Sequence, residues 1–341
     1  MAIKSIKLEN FTVFENIECD FSPGVNIFIG ENGTGKTHLL KALYAFSTGS
    51  KHPQSMNGEV CECNFIHHLL TCFGNSSHRE LTRRVGSEYS NYARTLLHFV
   101  SDDGECNYAI DPSLSVQIYQ VDTNKEDNSS VFIPSKDMLT HARGLLTMAK
   151  KHSNDMPFDR TLLDIVENAE NWKVDETPKL AQNIAPILEK VIGGKIEQYN
   201  GDFFVVKQNG DKVRFALEAE GIKKFGLLWQ LLMAEIITDN SILFWDEPEA
   251  NLNPKLIPVV VDILLELSGN GVQVFLATHE YNLMKYFSVK KKDSDQVSFI
   301  SLHNSENGVI CEAEDDYNLL EHNAIVEANI KLLEDDIEGA F

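Results

Sequence analysis

Eight consecutive residues could hold a phosphate chain. Gly30-Glu31-Asn32-Gly33-Thr34-Gly35-Lys36-Thr37 reads G-x-x-x-x-G-K-[ST], the phosphate-binding loop pattern. Its glycines let backbone N–H groups wrap an anion without Cβ clashes, and a helix N-terminus behind them adds partial positive charge. Lys36 is expected to reach the β- and γ-phosphates and the Thr37 hydroxyl to hold Mg²⁺. The expected nucleotide-binding set runs through Gly30, Glu31, Asn32, Gly33, Thr34, Gly35, Lys36 and Thr37 to His38, the next residue on that helix. A second constellation is SILFWDEPEANLNP, Ser241 to Pro254. Its apolar run, Ile242 to Trp245, reads as a buried strand delivering an acid at its C-terminal end. Asp246 is the expected second Mg²⁺ ligand, and Glu247 the base that polarises an attacking water. A third apolar run, Gln273 to Ala277, ends in Thr278-His279. Beside the other two motifs, His279 is read as a γ-phosphate contact linked to the base, which makes Lys36, Glu247 and His279 the expected catalytic residues.

These side chains need a frame of strands and one helix. Pro23-Gly24 and the short apolar strand Val25 to Ile29 precede the loop; His38 to Phe46 follows it, with Leu39, Leu40, Leu43 and Phe46 at helical spacing. Ala2 to Leu8 and Asn16 to Phe21 read as strands, and Phe11 and Phe14 as core aromatics rather than adenine stackers. Ser47 to Asn91 is polar with little strand character. Within it Cys61, Cys63, His67, His68 and Cys72 fit no common zinc spacing, and a helical stripe of Phe65, Leu69 and Cys72 is the better reading. Tyr92 to Val100, Cys106 to Ile110 and Val116 to Val121 suggest an antiparallel sheet. Val131 to Pro134 is a further strand ending at a loop with Lys136 and Arg143. Phe158 to Ala169 and Leu180 to Ile192 read as helices. Lys195 to Tyr199, Phe203 to Lys207 and Lys212 to Leu217 read as strands joined through Asn-Gly turns.

The chain has 341 residues, enough for a sizeable core, and a net charge of −21. That charge opposes non-specific nucleic-acid binding over the whole surface. Local basic patches leave nucleic acid open as a partner: Arg79, Arg83, Arg84 and Arg94; Lys150-Lys151; Lys290-Lys291-Lys292. No apolar run approaches the ~20 residues of a membrane span, and Met-Ala-Ile-Lys-Ser-Ile leads directly into a strand without a signal peptide. Six cysteines (19, 61, 63, 72, 106, 311) show no disulfide framework, so a reducing cytoplasm is the expected setting. From Cys311 onward there are ten acids and one lysine, read as a solvated amphipathic helix with Ile325, Ala328, Leu332 and Leu333 as its apolar stripe; the other reading is a tail that docks on a basic partner.

Lys36 and Asp246 lie 210 residues apart (246 minus 36), with a sheet and a helical block between. With the phosphate loop, DEPEANLNP, the Thr278-His279-Glu280 strand end and the segment Phe215 to Gly226, this order resembles the ABC-type ATPases of the RecF, SMC and OLD-like group over nearly the whole chain. The resemblance implies an α/β P-loop NTPase: an ABC-type ATPase head with an inserted antiparallel β subdomain and a helical subdomain. The nucleotide-binding core would be residues 1–50 and 212–312, the β and helical lobes 51–211, and an acidic helix 313–341. It implies that Phe215 to Gly226 is the signature motif, whose helix start at Glu220 and Gly221 meets the γ-phosphate held by a second copy, and that Ala250 to Asn253 is the D-loop. Three departures stand out. Ala219 replaces the usual signature serine. The Q-loop glutamine is Gln117 or Gln120, or Ser135 or Lys136 fills its place. The sequence reads without the SMC-type coiled coil and without a nuclease domain after residue 312. The function so implied is an ATP- and Mg²⁺-dependent switch, a homodimer or higher homo-oligomer acting on a separately encoded effector such as a nuclease or toxin, often in antiphage defence. The alternative is a RecF-like DNA-binding ATPase of repair or recombination.

Overall fold

The computed structural model describes residues 2–49, 55–56, 59–60, 63–74, 76–83, 94–110, 116–121, 129–151, 157–170, 176–306 and 308–339. Strands β1 (Ile3–Phe11) and β2 (Phe14–Asp20) form a hairpin, and β3 (Val25–Gly30) feeds the phosphate loop and helix α1 (Lys36–Gly49). The two-residue strands β4 (Ser55–Met56) and β5 (Glu59–Val60) precede α2 (Cys63–Cys72) and α3 (His78–Leu81). Next come β6 (Thr95–Ser101), β7 (Gly104–Ile110), β8 (Val116–Val121) and β9 (Ser130–Ile133), then α4 (Leu145–Lys151), α5 (Arg160–Glu170) and α6 (Ala181–Ile192). The meander β10 (Gly194–Tyr199), β11 (Asp202–Lys207) and β12 (Lys212–Arg214) leads to α7 (Glu220–Met233). The last third runs β13 (Ile242–Asp246), α8 (Ile257–Gly269), β14 (Gln273–Ala277), α9 (Tyr281–Lys290), β15 (Val297–Ser305), β16 (Gly308–Glu314) and α10 (Ala324–Gly339).

The central sheet has the order β16-β15-β3-β14-β13-β9, parallel except for the edge strand β16. Its middle strands are apolar at nearly every position because both faces are covered. On one face Ile27, Leu243, Trp245 and Leu276 pack against α6, α7 and α8. On the other, Phe28, Phe244 and Phe275 meet α1 and the five-stranded sheet. Phe244 and Phe275 stack there at 5.2 Å between ring centroids, so neighbouring strands are fixed in register by large apolar surfaces. The result is the expected mixed α/β head with antiparallel sheets.

Several elements differ from the sequence reading. The antiparallel sheet has the order β2-β1-β6-β7-β8, so the first twenty residues belong with it. Conversely β9 lies in the central sheet beside β13, within the range expected for the lobes. The strand expected through Leu217 stops at Arg214; Phe215–Leu217 is a 3-10 turn that drives the Phe215 ring into the core. The sequence reading found no disulfide framework, but Cys19 of β2 and Cys311 of β16 are brought together as a pair, with Cα atoms 6.1 Å apart. Spacing could not show this, because the contact joins strands near opposite ends of the sequence. Phe11 and Phe14 are fully buried core aromatics, and Phe65, Leu69 and Cys72 form the buried stripe of α2. Cys61 and Arg84 lie outside the described residues. In α10 only Ile325 is buried; Leu332 and Leu333 stay exposed. Among the described residues no helix is long and apolar enough to cross a membrane.

Candidate nucleotide-binding site

The phosphate loop, Asp246, Glu247 and His279 sit at the C-terminal edge of the parallel strands β3, β13 and β14, where open α/β sheets bind ligands. Gly30 ends β3 with φ 146°, opposite Leu302 of β15, and a Cβ there would overlap the Leu302 carbonyl oxygen. Gly35 has φ 92°, and a Cβ would lie 2.5 Å from the Phe14 ring. The loop is thus held between β15 and the β1–β2 turn, with no space for side chains at either glycine. Thr34 Oγ1 donates to the Glu31 carbonyl at 2.9 Å and tightens the turn. His38 follows on α1, with its ring edge-on to Phe73 at 5.3 Å.

Lys36 curls back over the loop and donates to the carbonyls of Gly30 and Glu31, each at 2.8 Å. Burial pushes its ammonium down to about 8, against the pull of Asp246, Glu247, Glu249 and Glu31. An incoming phosphate would supply the counter-charge that the loop carbonyls only partly provide.

Thr37 Oγ1 donates to both Asp246 oxygens, at 3.1 and 3.2 Å. Burial pushes the Asp246 carboxyl up to about 6, the Thr37 hydrogen bond and the cations of Lys41 and Lys36 oppose it, and Glu247 adds to it. A hydroxyl and an under-neutralised carboxylate side by side are hard oxygen donors that suit Mg²⁺.

Glu247 takes a left-handed conformation, φ 49°, with its N–H bonded to the Ala277 carbonyl of β14 at 3.0 Å. This turns its carboxylate toward the end of the neighbouring strand, where His279 Nε2 lies 3.5 Å from Glu247 Oε1. Burial and Lys36 lower the His279 imidazole, favouring its neutral form. Three further residues support the pair, and the sequence reading gave them no role. Glu249 Oε1 accepts from Thr278 Oγ1 at 2.6 Å and from the His279 N–H at 3.2 Å, fixing the backbone that carries the imidazole. Lys224 of α7 donates to the Glu247 carbonyl at 2.7 Å, and burial pushes its ammonium down to about 8. The only sequence signal for Lys224 was a charged pair ahead of the apolar run Phe225 to Trp229.

The signature residues lie at the start of α7. Ala219 is the N-cap and provides no side-chain cap, while Glu220 and Gly221 form the first turn. A Cβ on Gly221 would lie 3.1 Å from the Asn251 carbonyl oxygen, so the D-loop segment packs closely on the helix start. Gln117 and Gln120 are in β8, in the five-stranded sheet. Ser135 and Lys136 instead leave β9 directly beside β13.

A family model described as "AAA ATPase domain" matches residues 1–203, and one described as "AAA domain, putative AbiEii toxin, Type IV TA system" matches residues 127–285. The DNA replication and repair protein RecF of Heliobacterium modesticaldum is 35% identical over 74 residues, covering 22% of this chain and 20% of that protein. RecF of Listeria welshimeri is 48% identical over 52 residues, covering 15% of this chain and 14% of that protein. The chain therefore spans about a fifth or less of the length of these curated relatives. The SMC head domain of Thermotoga maritima is similar in fold, with a TM-score of 0.53 at 13% identity, covering 92% of this chain and 99% of that one. The SMC head bound to the C-terminal domain of ScpA derived from Pyrococcus furiosus gives a TM-score of 0.56 at 12% identity, covering 98% and 99%. The chain belongs to the AAA ATPase domain family, and its fold is similar to that of the SMC head.

Proposed function

We propose that the protein is a slow, Mg²⁺-dependent ATPase that closes as a homodimer around ATP and thereby controls a separately encoded effector, a nuclease or toxin, in antiphage defence. The observation that carries the reading is the convergence of Thr37, Asp246, Glu247 and His279 at adjoining strand ends, behind a glycine loop that places Lys36. In this reading residues 30–38 cradle the phosphates, with Lys36 as their cation. Thr37 and Asp246 would hold Mg²⁺, which when bound neutralises phosphate charge. Glu247 orients the attacking water and takes up its proton, and His279 contacts the γ-phosphate. Glu220 and Gly221 present the start of α7 to the nucleotide of the second copy, through backbone N–H groups because Ala219 has no hydroxyl.

Support for an external effector comes from the AbiEii description of the second family model and from the side-chain inventory. Among the described residues no group of three or more His, Cys, Asp or Glu is arranged to hold a metal of its own. The helical block and the acidic α10, whose Ile330, Leu333 and Ile337 are exposed, are the surfaces offered to that partner. A cytoplasmic setting belongs to the same reading.

The RecF-like alternative is supported by the names of the relatives, while the net charge of −21 weighs against it. Parts of the basic clusters are already paired, Arg83 with Glu15 at 2.6 Å and Lys290 with Asp262 at 2.7 Å. Light scattering of Glu247→Gln with and without Mg-ATP tests the dimer: a monomer mass in both would remove it, and an unchanged oligomer mass would be resolved by cross-linking Ala219→Cys to a phosphate-loop cysteine of another copy. Duplex-DNA binding measured against salt separates the readings: a steep salt slope favours the RecF-like one. So would DNA cleaved or clamped in an ATP-dependent way by the purified protein free of any partner.

A further inference from the structure

Two adjacent lysines lie at the end of the first turn of α7, and each reaches a different loop of the nucleotide edge. Lys224 holds the Glu247 carbonyl, in the loop after β13. Lys223 points the other way. Its Nζ is 2.7 Å from Glu220 Oε1 and 3.4 Å from Asp137 Oδ2, with its side chain only 5% exposed. Asp137 is anchored by its own loop: one carboxylate oxygen accepts from the Leu139 N–H at 3.0 Å, the other from the Thr140 hydroxyl. That loop leaves β9, whose Ile133 lies opposite Trp245, so Asp137 follows the strand end next to Asp246.

Burying an ammonium costs several kcal/mol unless it is paired, and an apolar side chain of similar volume would fill the space at lower cost. A paired ammonium adds a fixed distance and direction between two elements. Here one end is an anchored loop at the nucleotide edge. The other end is the helix turn carrying Glu220 and Gly221, and the half-exposed Glu220 is itself paired with Lys223.

We propose that Lys223 is a positioning residue that ties the start of α7 to the loop after β9, so that nucleotide binding at the strand ends is transmitted to Glu220 and Gly221 through the Asp137–Lys223 pair. The proposal rests on the reading that residues 30–37 and 246–247 bind nucleotide; it does not depend on the dimer.

The test is backbone amide hydrogen exchange with Mg²⁺ and a non-hydrolysable ATP analogue, at a concentration where light scattering reports a constant mass. In the parent protein the analogue slows exchange at residues 30–38 and also, by about tenfold, at 219–226. In Lys223→Met and in Asp137→Asn the first response is kept and the second falls below about twofold; Lys223→Arg restores it. Asp137→Asn keeps an oxygen acceptor for the Leu139 N–H while removing the charge and the acceptor of the Thr140 hydroxyl, which can turn to water, so it tests coupling where Lys223→Met is poorly folded. An unchanged response at 219–226 in both variants overturns the proposal alone. No response at 30–38 in the parent overturns the nucleotide-site reading, and this proposal with it.

Discussion

The Thr37 hydroxyl donates to the Asp246 carboxylate at 3.1 Å, across two strands of the sheet that are not neighbours. Strand β14 lies between β3 and β13, so the contact measures how well three strand ends are aligned. Mg²⁺ would take both oxygens as ligands. Chelation of Mg²⁺, or Asp246→Ala, should therefore weaken ATP binding on the order of tenfold or more, and in Asp246→Ala chelation should have little further effect. Titration calorimetry with and without chelator reads both. Equal Mg²⁺ dependence in parent and variant would separate Asp246 from the metal.

In the proposed reading Lys36 should make ATP affinity depend on pH. Its ammonium titrates at about 8 without a phosphate, and the phosphate charge raises that value on binding. Below pH 8 the lysine is already charged and affinity is flat. Above it, binding must take up a proton, so affinity falls as pH rises, by up to about tenfold per unit. Calorimetry near pH 9 in two buffers of different ionisation enthalpy should show proton uptake, absent in Lys36→Arg. Lys36→Ala should lose binding throughout; parent-like affinity in that variant is incompatible with the phosphate-loop assignment.

Glu247→Gln should keep ATP binding and lower turnover by about 10²- to 10⁴-fold, because the amide cannot accept a proton. Glu249→Ala should lower turnover too, by a different route. Thr278 and the His279 N–H lose their acceptor, which costs about 1–3 kcal/mol of stability and loosens the imidazole. Single-turnover rates together with urea midpoints distinguish the two: the first variant changes rate alone, the second changes both.

Gly30 and Gly33 predict unequal costs for one substitution. Both have positive φ, 146° and 84°, but a Cβ at Gly33 meets nothing within 4 Å, whereas at Gly30 it overlaps the Leu302 carbonyl. Gly33→Ala should cost about 1–2 kcal/mol of backbone strain. Gly30→Ala should cost more, because β15 must move away from β3. Thermal midpoints of the two variants check the order.

The parts legible in the sequence were those set by neighbouring residues. The phosphate loop is eight contiguous positions, and Asp246, Glu247 and His279 each follow an uninterrupted apolar run that reads as a strand buried on both faces. The remaining parts depend on contacts between distant segments. That Ile133 belongs beside Trp245 is a parallel pairing with no local turn to announce it. Lys224 bonds a carbonyl, which has no side-chain signature, and the Cys19–Cys311 pair spans 292 residues. The left-handed turn at Glu247 is equally unreadable, since glutamate does not favour it.

The position of β3 bears on how the chain is made. Its two neighbours in the sheet are β14 and β15, and the Asn26 amide reaches the carbonyl of Val274, 248 residues onward. A ribosome adding about 5–20 residues per second needs roughly 12–50 s to deliver that partner. Through that interval the apolar segment Val25–Gly30 has neither ladder neighbour. The phosphate loop therefore cannot acquire its final shape when it emerges, because both its ladder partners come far later in the chain. Chains halted before β14 should expose this segment to chaperones and proteases, and an ATP-binding signal on stalled nascent chains should appear only after residue 300 has left the exit tunnel.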